Sequence, residues 1–225
     1  MLNLMKNSIA KNGASNETGR IEAFSDGVFA IAITLLILEI KVPDSKELQS
    51  GLLHALLDKW PSYLSFFIGF FTVLVCWINH HYLFNRIHTA SHSLILFNSL
   101  TLFTVTFVPF PTAVLAESFR EGDLQIAVQL FGLAYIVMSS CYRILSSFVY
   151  NKADQPMTDE ERKYRKAIKT MYVLAIIHTT ITFIITFYSA LACLFMYTLL
   201  FSMFLFPGWY TNLIMKWQNR KTDNW

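Results

Sequence analysis

The chain has 225 residues, of which 54% are apolar and only 15% charged, less charge than the quarter or so that a soluble domain carries. Its 18 Lys and Arg against 15 Asp and Glu leave a net charge of +3, too small an excess to suggest a nucleic-acid partner. The charges gather between apolar blocks, each near the roughly 20 residues that a helix needs to cross a bilayer. The sequence therefore predicts an all-α integral membrane protein with six transmembrane helices per chain.

Residues 1–19 are polar and read as a flexible cytoplasmic tail, with no removable signal peptide expected. The first span is predicted over about 21–40 and is closed by the charged stretch from Lys41 to Lys59, with Pro43 marking the exit. Within that stretch Leu48, Leu52, Leu53, Leu56 and Leu57 recur at helical spacing. They describe a short amphipathic helix that lies on the membrane surface or packs on the bundle.

Trp60 and Pro61 open the second span, about 60–84, with Pro placed where a missing N–H costs nothing. Arg86, His88 and His92 form a polar link. Two histidines four apart could hold a metal on a helix, but a lone pair in such a link reads as solvated, and no metal site is assigned. The third span, about 94–115, carries Pro109 and Pro111, which should kink or break it near its far end.

The fourth span is predicted over about 124–149. In the charged loop that follows, Thr158 and Glu161 have capping-box spacing, so a helix should start there. From Met171 to Phe206 there are 36 residues without a charge, about 54 Å as one helix and longer than a bilayer core. The chain must turn, and a turn near Tyr188 to Ala190 is expected, which gives a fifth span over about 166–188 and a sixth over about 191–215. Residues 216–225 form a second tail, with Trp60, Trp209 and Tyr210 as interface anchors.

With both termini inside, 13 Lys and Arg fall on the inner side and four on the outer, with Arg143 within a span. This asymmetry predicts a multi-pass protein of the cell membrane with cytoplasmic N and C termini. Cys76, Cys141 and Cys193 each lie in an apolar block and read as buried small hydrophobes. There is no internal repeat, phosphate loop, zinc-ligand spacing or nucleophile motif, so neither an enzyme nor a cofactor is expected.

The run Arg20-Ile21-Glu22-Ala23-Phe24-Ser25-Asp26-Gly27 places charges at the start of a membrane helix, where they are expensive. An intramembrane carboxylate such as Asp26 needs a partner or a water-filled cavity. Asn79, His80 and His81 of span two and Asn98 of span three are candidate partners, so a polar network tying three helices together is expected. Arg20 and Glu22 equally suit plain interfacial anchoring. Further along, Ile31, Leu35 and Leu38 share one face, while Phe29, Ile33, Leu36 and Ile40 share the opposite one; the pattern alone does not say which face meets lipid.

Arg20, followed after three residues by Phe24-Ser25-Asp26, resembles the signature of the transmembrane protein 175 family of potassium channels. Trp77, His80, Leu83 and Phe84 resemble the family's second-span motif, and Asn98 with Thr106, Phe107 and Pro109 its third. The likeness covers the first half of the chain by motif and the second half by helix count and hydropathy. It implies a single-repeat, prokaryotic type of channel, a homotetramer whose central pore is lined by the first helix, with potassium as the permeant ion and membrane lipid as its surroundings.

Carried over by position, the resemblance makes Ile31 the bulky residue after the signature Asp, with Leu35 and Leu38 as the next layers of the constriction. It also implies that Arg20, Ser25, Asp26, Trp77, Asn79, His80 and Asn98 support the pore. Such channels lack a carbonyl filter, and the Thr-Val-Gly-Tyr-Gly run is absent here. An apolar ring can still gate by shedding water. Thr34 could assist selectivity with its hydroxyl, against the commoner habit of a Thr bonding back to its own helix. The rival reading is a proton-coupled or proton-conducting transporter using Asp26 and His80; a third is a non-transporting helical scaffold, which leaves Asp26 unexplained.

Overall fold

The structure, a computed structural model, describes residues 2–87, 89–152 and 158–222. Every regular element among them is helical. They are α1 (Leu2–Leu35), 3-10 turns at Leu36–Glu39 and Glu47–Ser50, α2 (Leu52–Leu57), α3 (Trp60–Phe84), α4 (His92–Thr106), α5 (Pro109–Glu121), α6 (Leu124–Lys152), α7 (Asp159–Ile185), α8 (Ala190–Leu205) and α9 (Pro207–Thr222). Five stretches are long and apolar enough to span a membrane, and α8 supplies a shorter apolar helix over Ala190–Leu200. With no water to satisfy backbone amides inside a bilayer, the helix is the form such segments must take.

Several boundaries follow from local chemistry. The third span divides into α4 and α5 because Pro109 has no N–H to give to the turn before it; Val108 and Phe110 instead bond three residues back, to Val105 and Phe107, a tightened 3-10 step. The run continues to Glu121, past the expected end near residue 115. The last span is likewise divided, with Pro207 at the first position of α9. The chain reverses between Ile185 and Ala190, as the length of the uncharged run requires. Thr158 and Glu161 close a reciprocal capping box at the start of α7. At the other end of the chain α1 is helical from Leu2, so the polar residues read as a flexible tail are continuous with the first span. His88 lies outside the described residues, and His92 opens α4.

α3 and α6 form the centre of the bundle. α3 packs against α1, α5 and α8, and α6 against α4, α5, α7 and α8. Tyrosines of α6 aim their hydroxyls at α3, where Tyr142 donates to the Cys76 carbonyl at 2.8 Å and Tyr135 Oη meets Thr72 Oγ1. A buried phenol needs such a partner. The three cysteines are all free and buried, as their apolar settings suggested. On the surface, Leu48, Leu52, Leu53, Leu56 and Leu57 are all exposed, which suits a helix lying on a membrane rather than on its own bundle. Lys59 is buried and bonded to Glu47 at 2.9 Å, which ties this surface element to the start of α3.

Candidate functional site

α1 rests on α3 and α4 along one face only. Ser25, Phe29, Ala32 and Leu36 are buried there, at the four- and three-residue steps that keep side chains on one helical stripe. The polar members of this contact form a chain through three helices. Asn98 Nδ2 of α4 donates to Ser25 Oγ of α1 at 2.9 Å, and Ser25 in turn donates to the Ile21 carbonyl at 2.8 Å. Asn98 Oδ1 lies 2.7 Å from His80 Nε2 of α3. With the amide in this orientation the imidazole donates through Nε2, the tautomer being inferred from the network.

The chain is sealed from water. Ser25 and His80 have no exposed surface and Asn98 retains 2%. Phe84 stacks on the His80 ring with centroids 4.3 Å apart, and Phe29 meets it edge-on at 5.2 Å. Polar side chains in an apolar bundle are costly unless paired. Here the Ser25 hydroxyl, the Asn98 amide and His80 Nε2 are paired while His80 Nδ1 has no partner among the described residues, and the paired atoms dictate how α1 is rotated against α3 and α4.

A second clamp lies beside the first. Trp77 Nε1 donates to Asp26 Oδ1 at 2.9 Å, and His81 Nδ1 lies 3.2 Å from Glu22 Oε1. Trp77 and His81 stack with centroids 6.0 Å apart. Asp26 therefore has the partner that an intramembrane carboxylate requires. Of the candidate residues, the structure brings Ser25, Asp26, Trp77, His80 and Asn98 into these contacts and places two others apart. Asn79 bonds back to the Val75 carbonyl and lines a separate cavity of about 50 Å³ beside Tyr135 and Tyr142. Arg20 is exposed and forms no ion pair among the described residues. The Glu22–His81 pair joins the network instead, although both residues were visible as candidates in the sequence.

Away from these clamps α1 is bare. Ile31, Leu35 and Leu38 are 61%, 45% and 69% exposed, and Phe24 and Gly27 continue the same stripe. Of the five long spans the first is the least covered, with 22% of its apolar window buried against 33–44% in the others. Thr34 is exposed beside the stripe and its hydroxyl donates to the Ile31 carbonyl at 2.9 Å, the back-bonding habit of helical Thr. Asp26 and His80, the two groups of the rival proton pathway, have separate partners and no hydrogen bond between them.

These features define a multi-span helical membrane protein whose first span is oriented by polar clamps and presents a continuous apolar face outside its own bundle. The family model described as endosomal/lysosomal potassium channel TMEM175 matches residues 20–109, the interval that holds both clamps and the bare stripe. A potassium channel of Chamaesiphon minutus is 42% identical over 168 residues, covering 71% of this chain and 83% of that one. The crystal structure of a lysosomal potassium-selective channel TMEM175 homolog from the same organism superposes with a TM-score of 0.77 at 38% identity, over 85% of this chain and 98% of that one. The chain belongs to the TMEM175 family.

Among more distant relatives, the endosomal/lysosomal proton channel TMEM175 of Danio rerio is 36% identical over 132 residues. The match covers 56% of this chain and 25% of the fish protein, so the chain spans about a quarter of that relative's length.

Proposed function

We propose that this protein is a potassium-selective channel of a cell membrane in which α1 from each of four copies lines a central pore, with Ile31, Leu35 and Leu38 as stacked apolar constrictions. The observation that carries the reading is the division of α1 into two faces: one clamped through Ser25, Asn98, His80, Asp26 and Trp77, the other bare over Ile31, Leu35 and Leu38. A span that only met lipid would need no buried polar chain to set its rotation. A span that presents rings of side chains to an axis does, because a 100° error per misplaced residue would swap the ring for its neighbour. Membership of a family with relatives named as potassium channels supports the permeant ion.

The stripe from Ile31 to Leu38 is about 10 Å long. Closed to the width of a dehydrated ion, such a ring holds no continuous water and stops conduction; widened, it conducts. Potassium surrenders hydration water at lower cost than sodium, so a constriction that forces partial dehydration favours it. Thr34 adds a hydroxyl beside the stripe if it leaves its bond to Ile31. The polar residues hold the helix rather than touch the ion, and both termini lie on the cytoplasmic side in accord with the charge asymmetry.

Reconstitution of the purified protein into liposomes tests this directly. A potassium gradient should discharge well ahead of an equal sodium gradient and of the leak in empty vesicles, with a particle mass equal to four chains. Equal discharge of both ions, or saturable flux that requires a proton gradient, would refute the channel reading and favour the transporter.

A further inference from the structure

At the end of the bundle where α3 and α9 run out and α7 begins in charged sequence, Arg86, Lys163 and Lys216 line one cavity of about 660 Å³ together with Tyr164, Asn212 and Met215. None of the three cations makes an ion pair or a side-chain hydrogen bond among the described residues, in contrast to Arg165 and Lys169 nearby, which share Asn151 Oδ1. One carboxylate also lines the cavity, that of Glu161. Its Oε2 already accepts from the backbone N–H and the hydroxyl of Thr158 at 2.9 and 3.2 Å. Among the described residues, three gathered cations thus face a space with one carboxylate, which is bonded to Thr158 and near enough to Arg86 to feel its charge.

The depth of the cavity identifies the ligand class. Arg86 stands two residues beyond the end of α3, and Lys163 precedes the apolar part of α7, which places them at the level of the bilayer headgroups. On α9, Trp209 is exposed seven residues before Lys216, nearly the same angular position two turns deeper in the membrane. A polar site of positive charge above an apolar strip matches a phosphate headgroup with its acyl chains. We propose that this cavity binds an anionic phospholipid, with Arg86, Lys163 and Lys216 holding its phosphate. The proposal rests on the chain spanning a membrane and not on its conducting potassium.

Thermal unfolding of the whole protein in neutral detergent tests it, with added phosphatidylglycerol, phosphatidylcholine or inorganic phosphate. Phosphatidylglycerol at about a hundredfold excess over its dissociation constant should raise the melting temperature by roughly 5–10 °C, less at high salt, while phosphatidylcholine and inorganic phosphate leave it unchanged. The triple variant Arg86→Gln, Lys163→Gln, Lys216→Gln should lose the shift while keeping its lipid-free melting temperature. Should that variant not fold, Lys163→Gln and Lys216→Gln, both at exposed positions, are measured singly, and each should show a reduced shift. An undiminished shift in the variants, an equal shift with phosphatidylcholine, or an equal shift with inorganic phosphate, which would assign the site to a soluble anion, overturns the proposal. The readout is lipid binding, so its failure leaves the flux result untouched.

Discussion

Ser25 and Asn98, 73 positions apart in the chain, meet at 2.9 Å in the dry contact between α1 and α4. Asn98 is the middle link: through its oxygen it also holds His80 of α3. One amide therefore sets the relation of three helices, and it does so where no water can replace it.

Asn98→Ala removes both bonds and leaves His80 Nε2 without its partner, while Ser25 Oγ keeps only its bond to the Ile21 carbonyl. Bonds between helices in membranes are individually modest, but stranded buried polar groups raise the cost to about 1–3 kcal/mol. The melting temperature in detergent should fall by several degrees, and Asn98→Leu should not rescue it. Unaltered melting in both variants would mean that the chain of polar contacts does not hold α1.

Trp77 and Asp26 allow a sharper separation of charge from geometry. In Asp26→Asn the amide oxygen can still accept from Trp77 Nε1, whereas Trp77→Phe keeps an aromatic ring but loses the donor and leaves the carboxylate unpartnered. Trp77→Phe should therefore destabilise the protein by about 1–2 kcal/mol and Asp26→Asn by clearly less. The reverse order, measured by thermal unfolding, would show that the Asp26 charge and not its bond to Trp77 matters.

Much of this architecture is legible in the sequence because a bilayer makes polar residues conspicuous. Ser25, Asp26, Trp77, His80 and Asn98 stand out in otherwise apolar spans, and only a small set of partners lies at the same depth. Pairing is harder to read, because it depends on helix rotation. Asn79 and His80 are neighbours in sequence but about 100° apart on α3, so His80 turns to α4 while Asn79 turns to the cavity beside α6. Glu22 with His81 was visible as two charged or chargeable groups near one interface, yet nothing in either segment singled out that combination over Asp26 with His81. The break at Pro207 was concealed by uninterrupted hydropathy up to Phe206, whereas that at Pro109 was announced by two prolines in three residues.

Gly69 marks a close approach of α3 to the C-terminal end of the first span and to α5. A Cβ there would lie 2.9 Å from both Leu36 Cδ2 and Thr112 Oγ1. Leu36 is fully buried and Thr112 nearly so, so neither can move aside without displacing its helix. Gly69→Val should cost roughly 1–3 kcal/mol through overpacking, with Gly69→Ala intermediate. Equal melting temperatures for all three forms would show that this contact is loose.

The central claim is that the bare stripe of α1 lines the conduction path, and the most direct measurement is potassium and sodium flux in liposomes for wild type, Ile31→Asn and Leu35→Asn. Both side chains are exposed in the single chain, so neither substitution disturbs the bundle. A polar ring holds water that an apolar ring sheds, and the account predicts flux several-fold above wild type, a smaller preference for potassium, or both. Flux and ion preference unchanged by both substitutions would mean that Ile31 and Leu35 face lipid and that the pore, if there is one, lies elsewhere.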